Sequence, residues 1–273
     1  MRSLLFVPGS RPDRIAKALG AGADAVCIDL EDAVAPGDKA EARASVMEAL
    51  ARPREQSPRL GFRINPIRTP NGLADLAAYS ASHAVADFIM IPKASHPVEL
   101  EIIAGALEGH ERPHLWPIVE SAEGLSHAYE IASGPCVQGV LFGGADFAAD
   151  LGTTMEWEPL FHARGTLAAA AAAAGIELLD VPYLDVNDDE GLAASTARVK
   201  ALGFTGRACI HPRQIAGVNA AFTPTNTEIE QARRVLAAFA DSKGGAALLD
   251  GKLVELPVIR AAERTLQAAG LVE

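Results

Sequence analysis

Short apolar runs of about one strand's length alternate with longer stretches of helical periodicity through most of this chain. Runs rich in Val, Ile, Leu or Phe stand at Ser3–Val7, Ala25–Asp29, Leu60–Ile64, Asp87–Ile91, His114–Val119, Val137–Phe142, Glu177–Val181 and Thr205–Ile210. Each is followed by Gly, Pro, Asn or Asp, the signature of a buried strand ending in a loop. Helical patterns fill the intervals at Asp38–Leu50, Gly72–Ala81, Pro97–Leu107, Ala122–Ile131, Glu158–Ala174, Glu190–Ala201 and Pro212–Ala220. The alanine run Ala168–Ala174 reads as packed helix, because alanine is the strongest helix former. Eight strands in strict βα alternation predict a closed parallel (β/α)8 barrel, a TIM barrel, over residues 1–221. An open doubly wound sheet is the rival, but the first βα loop, Pro8-Gly9-Ser10-Arg11-Pro12, lacks the glycine fingerprint of a dinucleotide fold. Residues 222–273 continue through Glu228–Phe239, a Gly244-Gly245 break, a short apolar run and a helix near Val258–Ala269. This predicts a C-terminal helical extension that caps the barrel or reaches a neighbouring subunit.

Composition narrows the function classes. Of 273 residues, 49% are hydrophobic but only 5% aromatic, which suits strands wrapped by small-residue helices. With 24 basic against 35 acidic residues, a net charge of −11, the long-range field repels nucleic acid. Cys27, Cys136 and Cys209 are odd in number and far apart, with neither metal spacing nor a disulfide framework, which favours a reducing cytoplasm. The N-terminal apolar stretch is too short for a signal peptide and no run reaches membrane-spanning length, so neither export nor a membrane is expected.

A parallel barrel carries its active site at the C-terminal ends of its strands. Those ends read Asp29-Leu30-Glu31-Asp32, Arg63-Ile64-Asn65-Pro66, Pro92-Lys93, Glu120-Ser121, Gly143-Gly144-Ala145-Asp146 and His211-Pro212. Glu120 and Asp146 follow consecutive strands, and neighbouring strands lie about 4.8 Å apart. Carboxylates held so close repel unless a proton or a cation lies between them. Magnesium, which takes one or two protein carboxylates and fills its octahedron with water and substrate oxygens, is the economical answer; a carboxylate that merely favours the following helix N-terminus is the plainer one. Asp29, Glu31 and Asp32 either hold metal-bound waters or cap the helix and pair with Lys39 or Arg43.

Arg63 would hold a fixed charge over the barrel mouth for an oxyanion or carboxylate, or form a structural ion pair; Lys93 is similar. His211 reads as a structural, hydrogen-bonded histidine. Arg11, Arg14 and Lys17 recur at three-residue spacing on the first helix, which is either a cradle for phosphates or an ordinary solvated face.

Taken together these residues resemble the citrate lyase β-subunit-like branch of the HpcH/HpaI aldolase family. The matching pieces are Phe6-Val-Pro-Gly-Ser-Arg-Pro-Asp-Arg14, Asp29-Leu-Glu-Asp-Ala-Val34 with Lys39 and Arg43, Arg63-Ile-Asn65, Ile91-Pro-Lys93, Val119-Glu-Ser121, Phe142-Gly-Gly-Ala-Asp146, Cys209-Ile-His-Pro-Arg-Gln214 and Asp250-Gly-Lys-Leu-Val-Glu-Leu-Pro257. They run nearly end to end and in order.

The resemblance implies a homotrimeric (β/α)8 lyase that binds Mg2+, with Mn2+ as a substitute, and cleaves a citryl-, malyl- or citramalyl-type β-hydroxyacyl-coenzyme A to an acyl-CoA and an oxo acid. It makes Glu120 and Asp146 the metal ligands. It sets Phe6, Arg11, Arg14, Lys39, Arg63, Gly144 and Ala145 along the coenzyme and substrate site, and counts Arg63, Asp32 and Glu255 as catalytic. Relatives carry an Asp on the C-terminal segment to protonate the enolate, reaching over from a neighbouring subunit; Glu255 stands in that place here. Alternatives are a citrate lyase β-subunit acting on citryl-acyl carrier protein, a metal-dependent aldolase on free oxo acids, and a non-catalytic assembly subunit.

Overall fold

The computed structural model describes residues 1–53, 57–108, 113–241 and 247–271. Eight parallel strands, β1 (Ser3–Pro8), β2 (Ala25–Asp29), β3 (Arg59–Arg63), β4 (Phe88–Ile91), β5 (His114–Val119), β6 (Gly139–Phe142), β7 (Glu177–Asp180) and β8 (Gly206–Cys209), close into a barrel in chain order. The β1–β8 pairing seals it, with Leu4 opposite Ala208. The (β/α)8 expectation is correct. Strands such as β2 and β4 are buried at every position, as expected when helices cover one face of a parallel sheet and the barrel core the other.

Alternate strand residues fill the interior. Leu4, Ala25, Cys27, Phe88, Met90, Trp116, Ile118, Leu141, Leu179 and Ala208 form one buried cluster. Large rings are accommodated by neighbours that have no side chain. A Cβ on Gly139 would stand 2.3 Å from Trp116 Cη2, and one on Gly61 would stand 2.3 Å from the Phe88 carbonyl oxygen. The two large rings of the interior cluster, Trp116 and Phe88, thus lie against glycines of the adjacent strands.

Outside the barrel a buried ionic knot ties β7 and β8 to the helix Trp157–Ala174. Asp180 accepts from Arg164 Nε at 3.0 Å and also from Arg207 Nη2, and Arg207 Nη1 donates to Thr196 Oγ1 at 3.0 Å. All four side chains are buried, so removal of any one would leave an uncompensated polar group in the core.

Helix starts follow local capping chemistry. Thr69 and Ser121 accept from the backbone N–H of Gly72 and Gly124, at 3.1 and 3.0 Å, and proline opens the helices Pro70–Ser80 and Pro97–Ala106. The stretch expected as one helix over Ala122–Ile131 is two, Ala122–Ser126 and Ala128–Ala132, broken at His127 (φ −110°, ψ 21°). The helix Gly144–Leu151 escapes the sequence pattern because its two leading glycines read as loop; Gly152 ends it at φ 66°.

The chain divides into two compact units, Met1–Asn219 and Ala220–Glu273. The second packs the helices Asn226–Asp241 and Leu256–Ala268 around Ala232, Val235, Val254, Ile259, Ala262 and Leu266. It also holds a hairpin of β9 (Ala247–Leu249) and β10 (Lys252–Val254). Asp250 and Gly251 make its two-residue turn at φ 52° and 75°, the left-handed pair that such a turn requires. The Gly244-Gly245 break lies outside the described residues.

Gly139→Ala is expected to lower the unfolding free energy by about 1–3 kcal/mol through overpacking against Trp116. The check is a lower denaturant midpoint at unchanged m-value, with part of the loss recovered in the double variant carrying Trp116→Phe.

Candidate active site

The first constraint at the barrel mouth is a buried arginine. Arg63 ends β3 opposite Asp29 of β2 in the ladder register, and its guanidinium grips that carboxylate from two sides. Nε donates to Asp29 Oδ1 at 2.7 Å and Nη2 to Oδ2 at 2.6 Å. Nη1 stands 2.6 Å from Glu31 Oε2, at ion-pair distance but without hydrogen-bond alignment. The Phe6 ring lies 5.2 Å from Arg63 Cζ, so one face of the guanidinium rests on an aromatic surface. Burial alone would lower the arginine pKa, but the Asp29 bond and the Asp29 and Glu31 charges raise it instead. The charge is permanent.

The loop after β2 is held in place from below. Asp29 also accepts from the backbone N–H groups of Glu31 (2.8 Å) and Ala33 (3.1 Å). Lys39 Nζ donates to the carbonyl oxygens of Leu30 (2.8 Å) and Glu31 (2.7 Å). Asn65 Nδ2 donates to Leu30 O at 3.0 Å and to Asp75 at 2.6 Å, and Arg43 Nε donates to the same Asp75 at 2.6 Å. Lys39 and Arg43 thus fix backbone and support the buried Asp75; among the described residues neither makes the side-chain ion pair with Asp29, Glu31 or Asp32 that the structural alternative for those acids expected.

Glu120 follows β5 and is buried, 5% exposed. It fits because the residue beside it, just after the next strand, has no side chain: a Cβ on Gly143 would meet Glu120 Oε2 at 2.4 Å. The N–H of Lys93 donates to Glu120 Oε1 at 2.7 Å, from a residue held at φ 53°. A non-glycine residue with positive φ is uncommon, and here the turn aims a donor at the carboxylate. The Glu120 carboxyl is pushed up to about 8 by burial and by the charges of Glu31 and Asp146. Burial, reinforced by Asp32 and Asp29 against the pull of Arg63, takes Glu31 to about 7. Carboxyls shifted this far want either a proton or a cation.

Asp146 sits in the first turn of the helix Gly144–Leu151, its side chain 45% exposed. Lys93 Nζ lies 4.0 Å from Asp146 Oδ1 and 3.6 Å from Glu31 Oε1. Glu120, Asp146 and Lys93 share the wall of a cavity of about 430 Å3 with Arg68, Ser121 and Asp150. Among the described residues no group of three or more His, Cys, Asp or Glu side chains is close enough to enclose a metal on its own. Two carboxylates beside an open cavity do suit a cation that keeps most of its ligands as water and substrate.

The remaining expected residues are dispersed. Phe6 and Gly144 stand at the mouth, Gly144 buried, while Ala145 and Asp32 are exposed. Arg11, Arg14 and Lys17 are all exposed, and Arg11 precedes the helix Pro12–Leu19 and spends its fork on Asp13 at 2.9 Å. His211 is exposed, with Nδ1 accepting from the N–H of Arg213 at 3.2 Å, so it holds a turn, as read. Glu255 is the exposed N-cap of Leu256–Ala268 in the second unit, its backbone carbonyl accepting from Val258 and Ile259. The Arg43–Asp75–Asn65 support was not foreseen; an Asp in the middle of an apolar helix pattern, Leu73 to Leu76, was its one visible sign.

The profile of the HpcH/HpaI aldolase/citrate lyase family matches residues 2–212. The (3S)-malyl-CoA thioesterase of Cereibacter sphaeroides is 38% identical, over 98% of this chain and 94% of its own length. The L-malyl-CoA/beta-methylmalyl-CoA lyase of the same species is 36% identical, over 99% and 95%. The crystal structure of CitE from Mycobacterium tuberculosis, in complex with magnesium, acetoacetate and coenzyme A, superposes with a TM-score of 0.84 at 34% identity, covering 98% of each chain. The order of motifs, the closed barrel and these relatives agree: the chain belongs to the HpcH/HpaI aldolase/citrate lyase family.

Proposed function

We propose that this chain is a magnesium-dependent carbon–carbon lyase that splits a β-hydroxyacyl-coenzyme A thioester into an acyl-CoA and an oxo acid. The observation that carries it is the pairing of a buried Glu120 and a half-exposed Asp146 on one cavity wall, at the same barrel mouth as the clamped Arg63. The donor set fits Mg2+, with Mn2+ as a substitute: Glu120 and Asp146 would hold the ion, and Gly143 leaves the space that Glu120 needs. When bound, the metal supplies Lewis acidity toward the carboxylate and hydroxyl oxygens of the oxo-acid half.

The chain's own residues then divide the work. The bond between the thioester α-carbon and the hydroxyl-bearing carbon breaks, its electron pair passing to the thioester as an enolate, while the hydroxyl proton passes to solvent water and the hydroxyl-bearing carbon becomes the carbonyl of the oxo acid. Arg63, held rigid by Asp29, meets that negative charge without having to reorganise. Phe6 shields the guanidinium face from water. Lys39 holds the β2 loop through its two carbonyl bonds, and Asp32 keeps water at the exposed edge. Arg11 and Arg14 supply cationic charge for the coenzyme phosphates; Gly144 and Ala145 offer helix N-terminal backbone to the substrate carboxylate. Glu255 protonates the enolate carbon, giving the acyl-CoA. In this reading the chain works in the cytoplasm as a homotrimer of barrels (1–221), each with its extension (222–273). Citryl-acyl carrier protein is the alternative substrate.

A second reading has direct support in the 38%-identical thioesterase relative. Water added to the thioester carbonyl would expel the coenzyme A thiolate and leave a free hydroxy acid, at the same carboxylates and the same arginine.

The deciding assay offers malyl-, citramalyl- and citryl-CoA with Mg2+ and follows oxo acid and free thiol separately. Oxo acid without thiol is expected; thiol without oxo acid establishes the hydrolase reading. EDTA should abolish turnover, and Glu120→Gln or Asp146→Asn should cost about 100-fold or more, as loss of charge stabilisation in a dry site does. Full activity in chelator would remove the metal from the account.

Glu255 yields a separate expectation. Glu and Asp share nearly the same intrinsic pKa, so proton transfer survives the exchange, although catalysis is sensitive to displacements of about 1 Å. Glu255→Gln is expected to slow both turnover and α-proton exchange of the acyl-CoA product while leaving Mg2+ affinity intact. Exchange at the wild-type rate would assign the proton to another group.

The carboxyl shifts also set a pH dependence. A carboxyl whose folded pKa lies above its unfolded value favours the folded state fully below the unfolded value, and that contribution drains as pH rises through the folded one. For Glu31 at about 7 and Glu120 at about 8, against an ordinary 4.5, metal-free stability should fall between pH 4.5 and 8. Added Mg2+ should therefore raise the melting temperature more at pH 8 than at pH 6, as thermal unfolding in EDTA and in Mg2+ will show.

A further inference from the structure

Lys93 makes contacts with both its backbone and its side chain, and the sequence pattern accounts only for the side-chain charge at the barrel mouth. Its backbone stands at φ 53°, where a side chain is disfavoured, and the return for that strain is the N–H bond to Glu120 Oε1 at 2.7 Å. The same residue sends its ammonium across the cavity wall to 3.6 Å from Glu31 Oε1 and 4.0 Å from Asp146 Oδ1. Asp29, Glu31, Glu120 and Asp146 put four carboxyls around the mouth. Arg63 is committed to Asp29 and Glu31. Among the described residues, Lys93 is therefore the one cation whose charged group comes within 4.0 Å of Asp146.

Its side chain is 49% exposed and makes only these two end-group contacts among the described residues. A long flexible stem with a hydrated head can swing toward solvent at low cost. We propose that Lys93 is a displaceable counter-cation: its ammonium balances the carboxylate wall in the metal-free protein and turns outward when a divalent cation occupies the Glu120–Asp146 pair. This rests on the reading that those two carboxylates bind Mg2+. Lys93 is then a positioning residue that weakens resting metal affinity, since its charge and the metal's compete for Asp146, while its backbone keeps Glu120 aimed.

The test is calorimetric titration of the full chain with MgCl2, alongside the Mg2+-induced rise in melting temperature. Lys93→Met removes the charge and keeps the stem. Lys93→Gly keeps the N–H to Glu120 and relieves the backbone. Lys93→Arg keeps the charge. Removing a unit charge about 4 Å from the carboxylates should tighten Mg2+ binding roughly tenfold in the Met and Gly variants, with a larger thermal shift to match. The Arg variant should stay within about twofold of wild type. Unchanged or weaker Mg2+ binding in Lys93→Met and Lys93→Gly would overturn the proposal. If instead wild type shows no saturable Mg2+ heat and matches Glu120→Gln, the metal reading itself falls, and this inference falls with it by a separately recognisable route.

Discussion

The barrel mouth depends on one constraint: the carboxyls of Asp29, Glu31, Glu120 and Asp146 stand around it and, among the described residues, Arg63 and Lys93 are the cations that pair with them. Buried charge is expensive unless it is paired and hydrogen-bonded. The structure meets that cost unevenly. Asp29 receives two guanidinium bonds and two backbone N–H groups, so it is fully satisfied. Glu120 has one backbone donor and an open cavity, and burial together with the charges of Glu31 and Asp146 pushes its carboxyl up. The imbalance separates a fully bonded carboxylate at the end of β2 from an under-bonded one after β5.

That arrangement is possible because the sheet is closed and in register. Asp29 and Arg63 are ladder partners, so their reach to each other is set by strand spacing rather than by loop conformation. Glu120 and Gly143 each follow directly on a ladder pair, Val119 with Phe142, which puts a residue without Cβ beside the glutamate that needs the room. The same device recurs deeper in the barrel, where Gly139 and Gly61 make way for Trp116 and Phe88. A rigid core of this kind lets a site depend on ångström-level placement.

Much of this was legible in the sequence because βα alternation is a strong periodic signal. All eight strands and the ionisable residues at their C-terminal ends could be read from runs such as Ala25–Asp29 and His114–Val119. What escaped belongs to contacts that no periodicity encodes. The Asp180 knot joins residues 164, 180 and 207, and Lys39 turns back onto carbonyls eight and nine residues upstream. The Gly144–Leu151 helix was hidden because its glycines serve the site rather than the helix. The Asp250-Gly251 turn carried a hairpin signal that the short flanking runs made easy to pass over.

A lyase and a thioesterase are similar to this chain at nearly equal identity, and in the proposed reading one constellation suits both reactions. Each reaction builds negative charge on the thioester oxygen, and each has a use for a fixed cation at the end of β3. They differ in what reaches the substrate. Carbon–carbon cleavage needs a proton for the enolate carbon and an interior kept dry enough for that carbanion to survive; hydrolysis needs water admitted to the carbonyl. Neither demand falls on Asp29, Arg63 or Glu120, which are committed by the barrel itself. Under the proposed function, the choice therefore falls to groups that the barrel does not fix, among them Asp32, which is exposed. If Glu255 is the proton donor, as proposed, its carboxyl stands one methylene further out than the aspartate of the resemblance, a change that moves the donor while leaving the Arg63–Asp29 clamp as it is.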